Sequence, residues 1–273
     1  RLLGASIGVF MIVTGLWAFF ATARAPRIET TPERFSIADE IRAVVENRAF
    51  TTLWIAFLLQ NLAIGAAATA LIYFVTQVMR VAPQSAALYM SIGGIVALAA
   101  TPVWVALGRT IGKQRGYFSG LAIAAAMTIP ALVIAPNQAP LLLAALVIAG
   151  LGDAATQLFP NAMAPDTVEV DELKSGLRRE GAIFGAWGFC RKLGMTGGAF
   201  IVSLALAAVH FAPGAAPNLQ PDSAITGIRY IYAAIPLALW LAALLAFTRY
   251  DLTEARFEAL KAEILTKRQQ KPR

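Results

Sequence analysis

One stretch of the chain decides its fold: residues 165–194, PDTVEVDELKSGLRREGAIFGAWGFCRKLG. A dense run of acidic and basic side chains changes there into an apolar segment with regularly spaced glycines. Lys192 lies about ten residues inside that segment, which at about 1.5 Å per residue places it roughly 15 Å deep in a hydrocarbon core about 30 Å thick. A cation at that depth costs several kcal/mol unless it is paired or reaches water, so the sequence predicts a functional site around Lys192.

The composition is that of an integral membrane protein. Hydrophobic residues make up 58% of the 273 residues and charged residues 14%, against about 25% in an ordinary soluble domain. The lipid bilayer is therefore the expected partner of the chain. The net charge of +7 does not indicate nucleic-acid binding, because the basic residues are scattered between apolar segments. The single cysteine, Cys190, excludes an intrachain disulfide framework.

The apolar residues fall into seven segments, each near the ~20 residues that a membrane-spanning helix needs. The predicted fold class is therefore all-α integral membrane, with seven transmembrane helices. The segments are residues 2–23, 50–78, 86–107, 117–134, 140–159, 182–208 and 228–248. The fourth is short, which tilt or local thinning of the bilayer can accommodate. The chain opens at Arg1 without an initiator methionine, and we expect it to be a fragment that lacks its N-terminal part.

The basic residues of the connections predict the topology. Lys and Arg in the six connections and the tail number 5, 1, 3, 0, 3, 0 and 7. Because cytoplasmic loops carry the excess of positive charge, this alternation places the tail and every odd-numbered connection in the cytoplasm. The expected location is the inner membrane of a bacterium. In residues 24–49, Ser36 and Asp39 form a capping box and apolar residues recur at helical spacing, which predicts an amphipathic helix on the membrane surface.

Other polar side chains are expected at the same depth as Lys192. Asp153 lies about 18 Å from the outer end of the fifth segment, Gln157 follows one turn later, and Asn61 reaches about 16 Å in the second segment. Such groups also occur as simple interhelical hydrogen bonds, an interpretation that suits Asn61 and Gln157 better than the ionised groups. The sequence predicts that Asp153 approaches Lys192 and keeps it charged, with Arg191 as the competing partner; acids of the missing N-terminal part are the alternative partners of Lys192.

Three motifs resemble a known family. DELKSGLRREG at 171–181, followed by Lys192, resembles the charged motif of the glycoside–pentoside–hexuronide (melibiose permease-like) cation symporters of the major facilitator superfamily. ENRAF at 46–50 is similar to the start of the seventh helix of that family. GRTIGKQRGY at 108–117 resembles its basic loop between the eighth and ninth helices, although an acidic residue common in that loop is missing here.

The resemblance implies that the seven segments are helices six to twelve of a twelve-helix transporter, represented by its C-terminal half. Residues 1–23 would be the last helix of the N-terminal half, and residues 24–49 the cytoplasmic linker. Residues 50–248 would form the C-terminal six-helix bundle, and residues 249–273 a basic amphipathic cytoplasmic tail. The missing N-terminal half is then an expected partner, and it would hold most of the coupling-cation and sugar site.

The resemblance also assigns roles to individual residues. Lys192 matches the lysine of the eleventh helix that faces the central cavity, whereas Asp153 matches no residue of known role. Other charged residues in and near the motif match a cytoplasmic network of the family. That network holds the two halves together in one gating state. These are Asp166, Glu172 and Arg178, with Glu169 and Glu180 at further acidic positions.

The expected function is secondary active transport: symport of a sugar or glycoside with Na⁺ or H⁺ by alternating access. The small-molecule substrate and the coupling cation are the expected ligands, with no other cofactor. Two alternatives remain open at this stage, a lysophospholipid or other organic-solute symporter of the same family and a non-transporting sensor or scaffold. The chain is not expected to be an enzyme, because His210 and Cys190 lie in different compartments and form neither a nucleophile–base pair nor a metal cluster.

Overall fold

The computed structural model describes the backbone of residues 2–23, 45, 47–136, 138–175, 180–252, 256–260 and 262. The side chains of residues 2, 3, 83, 170–175 and 182 lie outside that description. Within these ranges the chain is helical and contains no strand, which confirms the all-α prediction. The amphipathic helix predicted within residues 24–49 lies almost wholly outside the described residues.

The chain divides into two compact units, Arg1–Ile37 and Ala38–Arg273. In the first, α1 (Leu2–Thr22) carries large apolar side chains such as Trp17 and Phe20 on its surface. The hydroxyls of Thr14 and Thr22 donate hydrogen bonds to the carbonyl oxygens of Phe10 and Ala18, one turn earlier. These bonds satisfy the two threonine hydroxyl donors within the helix, as a lipid environment requires.

The described part of the second unit contains six long helices. They are α2 (Arg48–Tyr73, continued by a π turn, Phe74–Val78), α3 (Pro83–Ile111), α4 (Lys113–Thr128, continued by a 3₁₀ turn, Ile129–Leu132), α5 (Ala139–Ser175), α6 (Glu180–Ala208) and α7 (Asp222–Phe247). A short 3₁₀ turn, Pro217–Leu219, precedes α7.

Six helices of the described chain are long and apolar enough to cross a membrane: α1, α2, α3, α5, α6 and α7. The seven predicted segments are thus confirmed in six cases. The α-helical part of the fourth segment, α4, has only 16 residues. It ends at Thr128 because Pro130 has no N–H to donate to the carbonyl one turn earlier, and a tighter 3₁₀ turn completes the segment.

The helices of the second unit pack in two groups, α2 with α6 and α7, and α3 with α4 and α5, which meet where α4 packs against α7. Glycines bring α2 and α6 into close contact. A Cβ atom added to Gly65 would collide with the backbone of Met195, and one added to Gly198 would collide with the backbone of Leu62. In lipid, such contacts hold helices together by van der Waals packing rather than by exclusion of water.

The inner ends of α2 and α5 are joined by Asn47. Its Oδ1 accepts a hydrogen bond from Phe50 N (3.1 Å) and caps α2, while its Nδ2 donates to the carbonyl oxygen of Thr167 (2.9 Å). Helix α5 continues through the charged stretch as far as Ser175, well beyond the apolar segment predicted at 140–159. The acidic residues of the motif therefore begin on a continuous helix.

Candidate functional site

Three charged side chains lie in the middle of the membrane-spanning helices that the structure describes: Asp153 on α5, and Arg191 and Lys192 on α6. Asp153 is half-buried. Its Oδ1 accepts a hydrogen bond from Thr156 Oγ1 (3.4 Å), and its carboxylate also contacts the side-chain amide of Gln157. Arg191 is the cation close enough for its charge to act on Asp153. The Asp153 carboxylate is thus held by hydrogen bonds within α5, and the charge of Arg191 acts on it more weakly than those bonds do.

Lys192 has a different environment from its neighbour. Its side chain is exposed and makes no hydrogen bond or ion pair with any residue that the structure describes, Asp153 included. Successive residues of a helix are turned by about 100°, so a helix that directs Arg191 toward α5 directs Lys192 away from it. No ion pair between Asp153 and Lys192 occurs among the described residues. The cation whose charge acts on Asp153 is Arg191, and the predicted approach of Asp153 to Lys192 stays a prediction.

The two amides named with this site lie apart. Asn61 is buried where α2 meets α6, beside Gly194, and its Nδ2 donates a hydrogen bond to Phe57 O of its own helix (2.7 Å). Gln157 is half-buried next to Asp153. Of the two, only Gln157 reaches the charged group.

Sequence reasoning overlooked Gln60. Its side chain is fully buried, and its Nε2 donates a hydrogen bond to Thr156 O of α5 (3.0 Å), while its Oε1 has no partner among the described residues. Its sequence signal was the pair of adjacent amides in α2, of which only Asn61 was singled out. Gln60 ties α2 to the segment of α5 that carries Asp153.

Asp153 lines a cavity of about 190 Å³ enclosed by α2, α3, α4, α5 and α7. The walls are mostly apolar, and two aromatic side chains, Tyr232 and Trp240, contribute to them. A carboxylate in such a place can accept hydrogen bonds from hydroxyl groups or balance a cation, and aromatic rings can pack against the apolar face of a bound molecule. The cavity therefore has the chemistry of a small-molecule site with one polar anchor.

A second charged site lies at the start of α4 and toward the end of α5. Lys113 Nζ forms an ion pair with Asp166 Oδ2 (2.7 Å), donates a hydrogen bond to Ala162 O (3.3 Å) and lies 5.7 Å from the centre of the Phe257 ring. These residues border a cavity of about 290 Å³. Asp166, predicted to belong to the gating network, is thus bound to the α3–α4 connection. The sequence analysis did not single out Lys113, because it is one of three basic residues in a short predicted loop.

The remaining members of the predicted network are described only in part. Glu169 Oε2 is buried and has no hydrogen-bond partner among the described residues, and Glu180 supplies the acidic side chain of the first turn of α6. The side chain of Glu172 and the whole of Arg178 lie outside the described residues. The network therefore stays a prediction.

Tyr250 lines the same inner cavity, beyond the end of α7. Burial raises the pKa of its phenol, and the negative charges of Asp166 and Asp251 raise that pKa further. Gln114 Nε2 donates a hydrogen bond to Leu252 O, which fixes the start of the tail against the α3–α4 connection. The inner cavity is thus closed on one side by the chain that follows α7.

Comparison with known proteins identifies the family. The family model described as MFS/sugar transport protein matches residues 2–254. An uncharacterized symporter of Synechocystis sp. is 31% identical over 98% of this chain and 53% of its own length. The glucuronide carrier protein homolog of Escherichia coli is 23% identical over 94% of this chain and 56% of its own. An uncharacterized symporter of Bacillus subtilis is 24% identical over 95% of this chain and 56% of its own length.

The chain spans about half the length of the curated relatives that it matches. Its apolar helices and its charges at mid-membrane depth agree with the kind of protein that those relatives are. With a family model matching residues 2–254 and symporters aligned along nearly its whole length, the chain belongs to the MFS/sugar transport protein family.

Proposed function

We propose that the full-length protein containing this chain couples the inward movement of Na⁺ or H⁺ to the uptake of a sugar or glycoside by alternating access. The family supports transport, and the relatives named as symporters support coupling. The relative named as a glucuronide carrier homolog supports a sugar derivative as the substrate. In this proposal the chain contributes helices six to twelve, and the coupling cation binds mainly to the half that precedes them.

The observation that carries the proposal is the set of charges in the middle of α5 and α6. Asp153, Arg191 and Lys192 lie at a depth where each ionised group costs several kcal/mol, and Arg191 and Lys192 are both exposed. Charges at that depth occur in proteins that move ions or polar solutes, because they line the path of the solute. A scaffold held together by packing needs none of them.

The charges also suggest how coupling arises. Binding of a cation in the other half adds positive charge to the central cavity, and binding of substrate changes which groups interact with Lys192 and Asp153. The two binding events are then linked by the same electrostatic field, and each changes the affinity for the other by the same factor. Each ligand shifts the balance of inward-facing and outward-facing states by its difference in affinity for the two.

We place the gate at the inner ends of the helices, on the cytoplasmic side of a bacterial inner membrane. The Lys113–Asp166 ion pair binds α4 to α5, and the buried Glu169 oxygen is available for a cation from the other half or from Arg178. Such pairs form in one state and open in the other, so they set the relative stability of the two states. The tail that borders this site would be cytoplasmic, as the loop charges predict.

Transport by the purified full-length protein in liposomes tests the proposal. An imposed inward gradient of Na⁺ or H⁺ should drive a labelled hexose, hexuronate or alkyl glycoside above its external concentration. An ionophore that dissipates the gradient should return the internal concentration to equilibrium. Uptake that never exceeds equilibrium under either gradient would contradict symport, and accumulation of lysophospholipid alone would replace the sugar with a lipid substrate.

A further inference from the structure

One cavity of the helix bundle has a single charged side chain in its wall. The cavity of about 190 Å³ beside Asp153 is enclosed by α2, α3, α4, α5 and α7, and Asp153 carries the only charge among the residues that line it. Arg191, whose charge also acts on Asp153, lies on α6 and is not one of them. The Thr128 hydroxyl in the wall donates a hydrogen bond to Ala125 O (2.7 Å) within its own helix. An occupant of the cavity therefore meets one anionic acceptor in mostly apolar surroundings.

Two buried aromatic side chains of α7 also line the cavity. Tyr232 and Trp240 are eight residues apart, which is about 12 Å along the helix axis. Tyr232 belongs to one of the two hydrophobic clusters of the bundle and Trp240 to the other. The Phe74 ring stacks on Tyr232 with 4.8 Å between the ring centroids and fixes its orientation. The cavity thus lies between the two clusters, with one aromatic ring from each.

This composition suits few kinds of occupant. A sugar brings several hydroxyl groups, most of which would lose their hydrogen bonds to water and find no partner on apolar walls. An anion would be repelled by Asp153, and a neutral apolar molecule would leave that carboxylate without a partner in the cavity. A hard metal ion needs about six oxygen ligands, whereas Asp153 is the only carboxylate in the wall. The occupant that fits is a cation that carries its own apolar surface.

A quaternary ammonium group has these properties. Its positive charge pairs with a carboxylate, its alkyl groups contact apolar walls, and it needs no hydrogen bond. Aromatic rings attract such a cation when it lies within about 6 Å of the ring centre, and the attraction increases when water is excluded. A cation midway between Tyr232 and Trp240 would lie about 6 Å from each along the axis of α7. One small group can therefore contact both rings.

We propose that this cavity binds a small organic cation through its quaternary ammonium group, with Asp153 as the counter-ion and Tyr232 and Trp240 as the aromatic walls. All the lining residues belong to the second unit of the chain. The proposal therefore depends neither on the sugar nor on the coupling cation of the proposed function. Because a ligand that binds the folded state stabilises it, occupancy also raises the thermal midpoint.

Calorimetry on the full-length protein in lipid nanodiscs tests the proposal with two probes of the same shape, choline and its neutral analogue 3,3-dimethylbutan-1-ol. Choline should bind at least about tenfold more tightly, because it alone carries the charge that pairs with Asp153. Asp153→Asn should weaken choline binding by at least about tenfold and leave binding of the neutral probe unchanged. Asp222→Asn is the matched control, since it removes a carboxylate from the start of α7, outside the cavity wall, and it should bind both probes as the wild-type protein does.

Ala149→Leu tests the location of the site without changing any charge. Ala149 lines the cavity on α5, and the larger side chain should fill part of it and weaken both probes by at least about tenfold. Thermal unfolding shows whether each variant is folded. Choline should raise the thermal midpoint of the wild-type protein and of Asp222→Asn, and it should leave that of Ala149→Leu unchanged.

Equal binding of choline and its neutral analogue to the wild-type protein would overturn the proposal. A preference for choline that survives both Asp153→Asn and Ala149→Leu would also overturn it, because the cation would then bind elsewhere. Neither result affects symport, which is measured separately by uptake of sugar into liposomes. Conversely, choline binding that follows these expectations in a protein without coupled uptake supports the cation site and contradicts the proposed function alone.

Discussion

The charge of Arg191 acts on Asp153 within the membrane-spanning helices, and removing one of the two charges leaves the other unbalanced. We predict that Asp153→Asn and Arg191→Gln each lower the free energy of unfolding by about 2 kcal/mol. This is less than the 3–5 kcal/mol of a fully buried pair, because the Arg191 side chain is exposed. The double substitution should recover much of that loss.

Thermal unfolding of the single and double variants in detergent measures this coupling. A matched double-mutant cycle combines Asp153→Asn with Lys192→Gln instead of Arg191→Gln. The losses of stability of these two single variants should add in the double variant. Additivity in the first cycle and coupling in the second would show that Asp153 pairs with Lys192 in the complete transporter. The original expectation from the sequence would then hold.

Tyr250 makes stability depend on alkaline pH. Its folded-state pKa is raised, chiefly by burial, so the neutral phenol is favoured in the folded protein. The resulting stabilisation is complete below the unfolded pKa of about 10, and it is lost as the pH rises through the folded value. The thermal midpoint of the wild-type protein should therefore fall more steeply above about pH 10 than that of Tyr250→Phe. Replacement of the exposed Tyr230 by Phe is the control, and equal slopes in all three proteins would contradict the prediction.

The position of a residue along a membrane-spanning helix could be predicted from the sequence, because a helix rises by a constant amount per residue. Asp153 and Lys192 lie within α5 and α6 as expected, and their depth in the membrane stays a prediction. The partner of Asp153 could not be predicted in the same way, since it depends on the rotation of α6 about its own axis. That rotation is set by the close contact of Gly194 and Gly198 with α2, which no local pattern specifies.

At the scale of elements, the contact between α2 and α6 depends on glycine. A Cβ atom on Gly198 would collide with the backbone of Leu62 and Ala66, which cannot move without separating the helices. We predict that Gly198→Ala lowers the free energy of unfolding by about 1–3 kcal/mol, the usual cost of overpacking. Gly185→Ala on the same helix meets open space and should be neutral or stabilise by up to about 1 kcal/mol.

The two alanine variants are compared by thermal unfolding in the same detergent. Equal destabilisation would mean that helix propensity rather than close packing governs α6. The sequence has glycines at regular spacing along this helix, and two of them, Gly194 and Gly198, lie in close contact with α2. It did not separate them from Gly181, Gly185 and Gly188, around which the structure shows open space.

At the scale of the whole molecule, the topology remains to be measured. The alternating loop charges predict that cysteines introduced at Ser175 and Gln269 react only from the cytoplasmic side, and one at Asn218 only from outside. Cys190 is fully buried, so its own labelling should be slow. Membrane-impermeant maleimides applied to intact cells and to inverted vesicles measure from which side each cysteine is labelled. Labelling of Ser175 and Asn218 from the same face would contradict the predicted arrangement of spans.

Helix α5 is longer than a membrane-spanning helix needs to be. Its 37 residues would extend about 55 Å if straight, so about 25 Å projects beyond a hydrocarbon core about 30 Å thick. A tilt of about 10° in the membrane-embedded part would carry the projecting tip sideways by about 4 Å, a distance comparable to the opening of an ion pair. Asp166 and Glu169 lie on the projecting arm. If the segment with Pro160 and Pro165 stays rigid, a small tilt of the embedded part would therefore be magnified near the end of α5, where Asp166 pairs with Lys113.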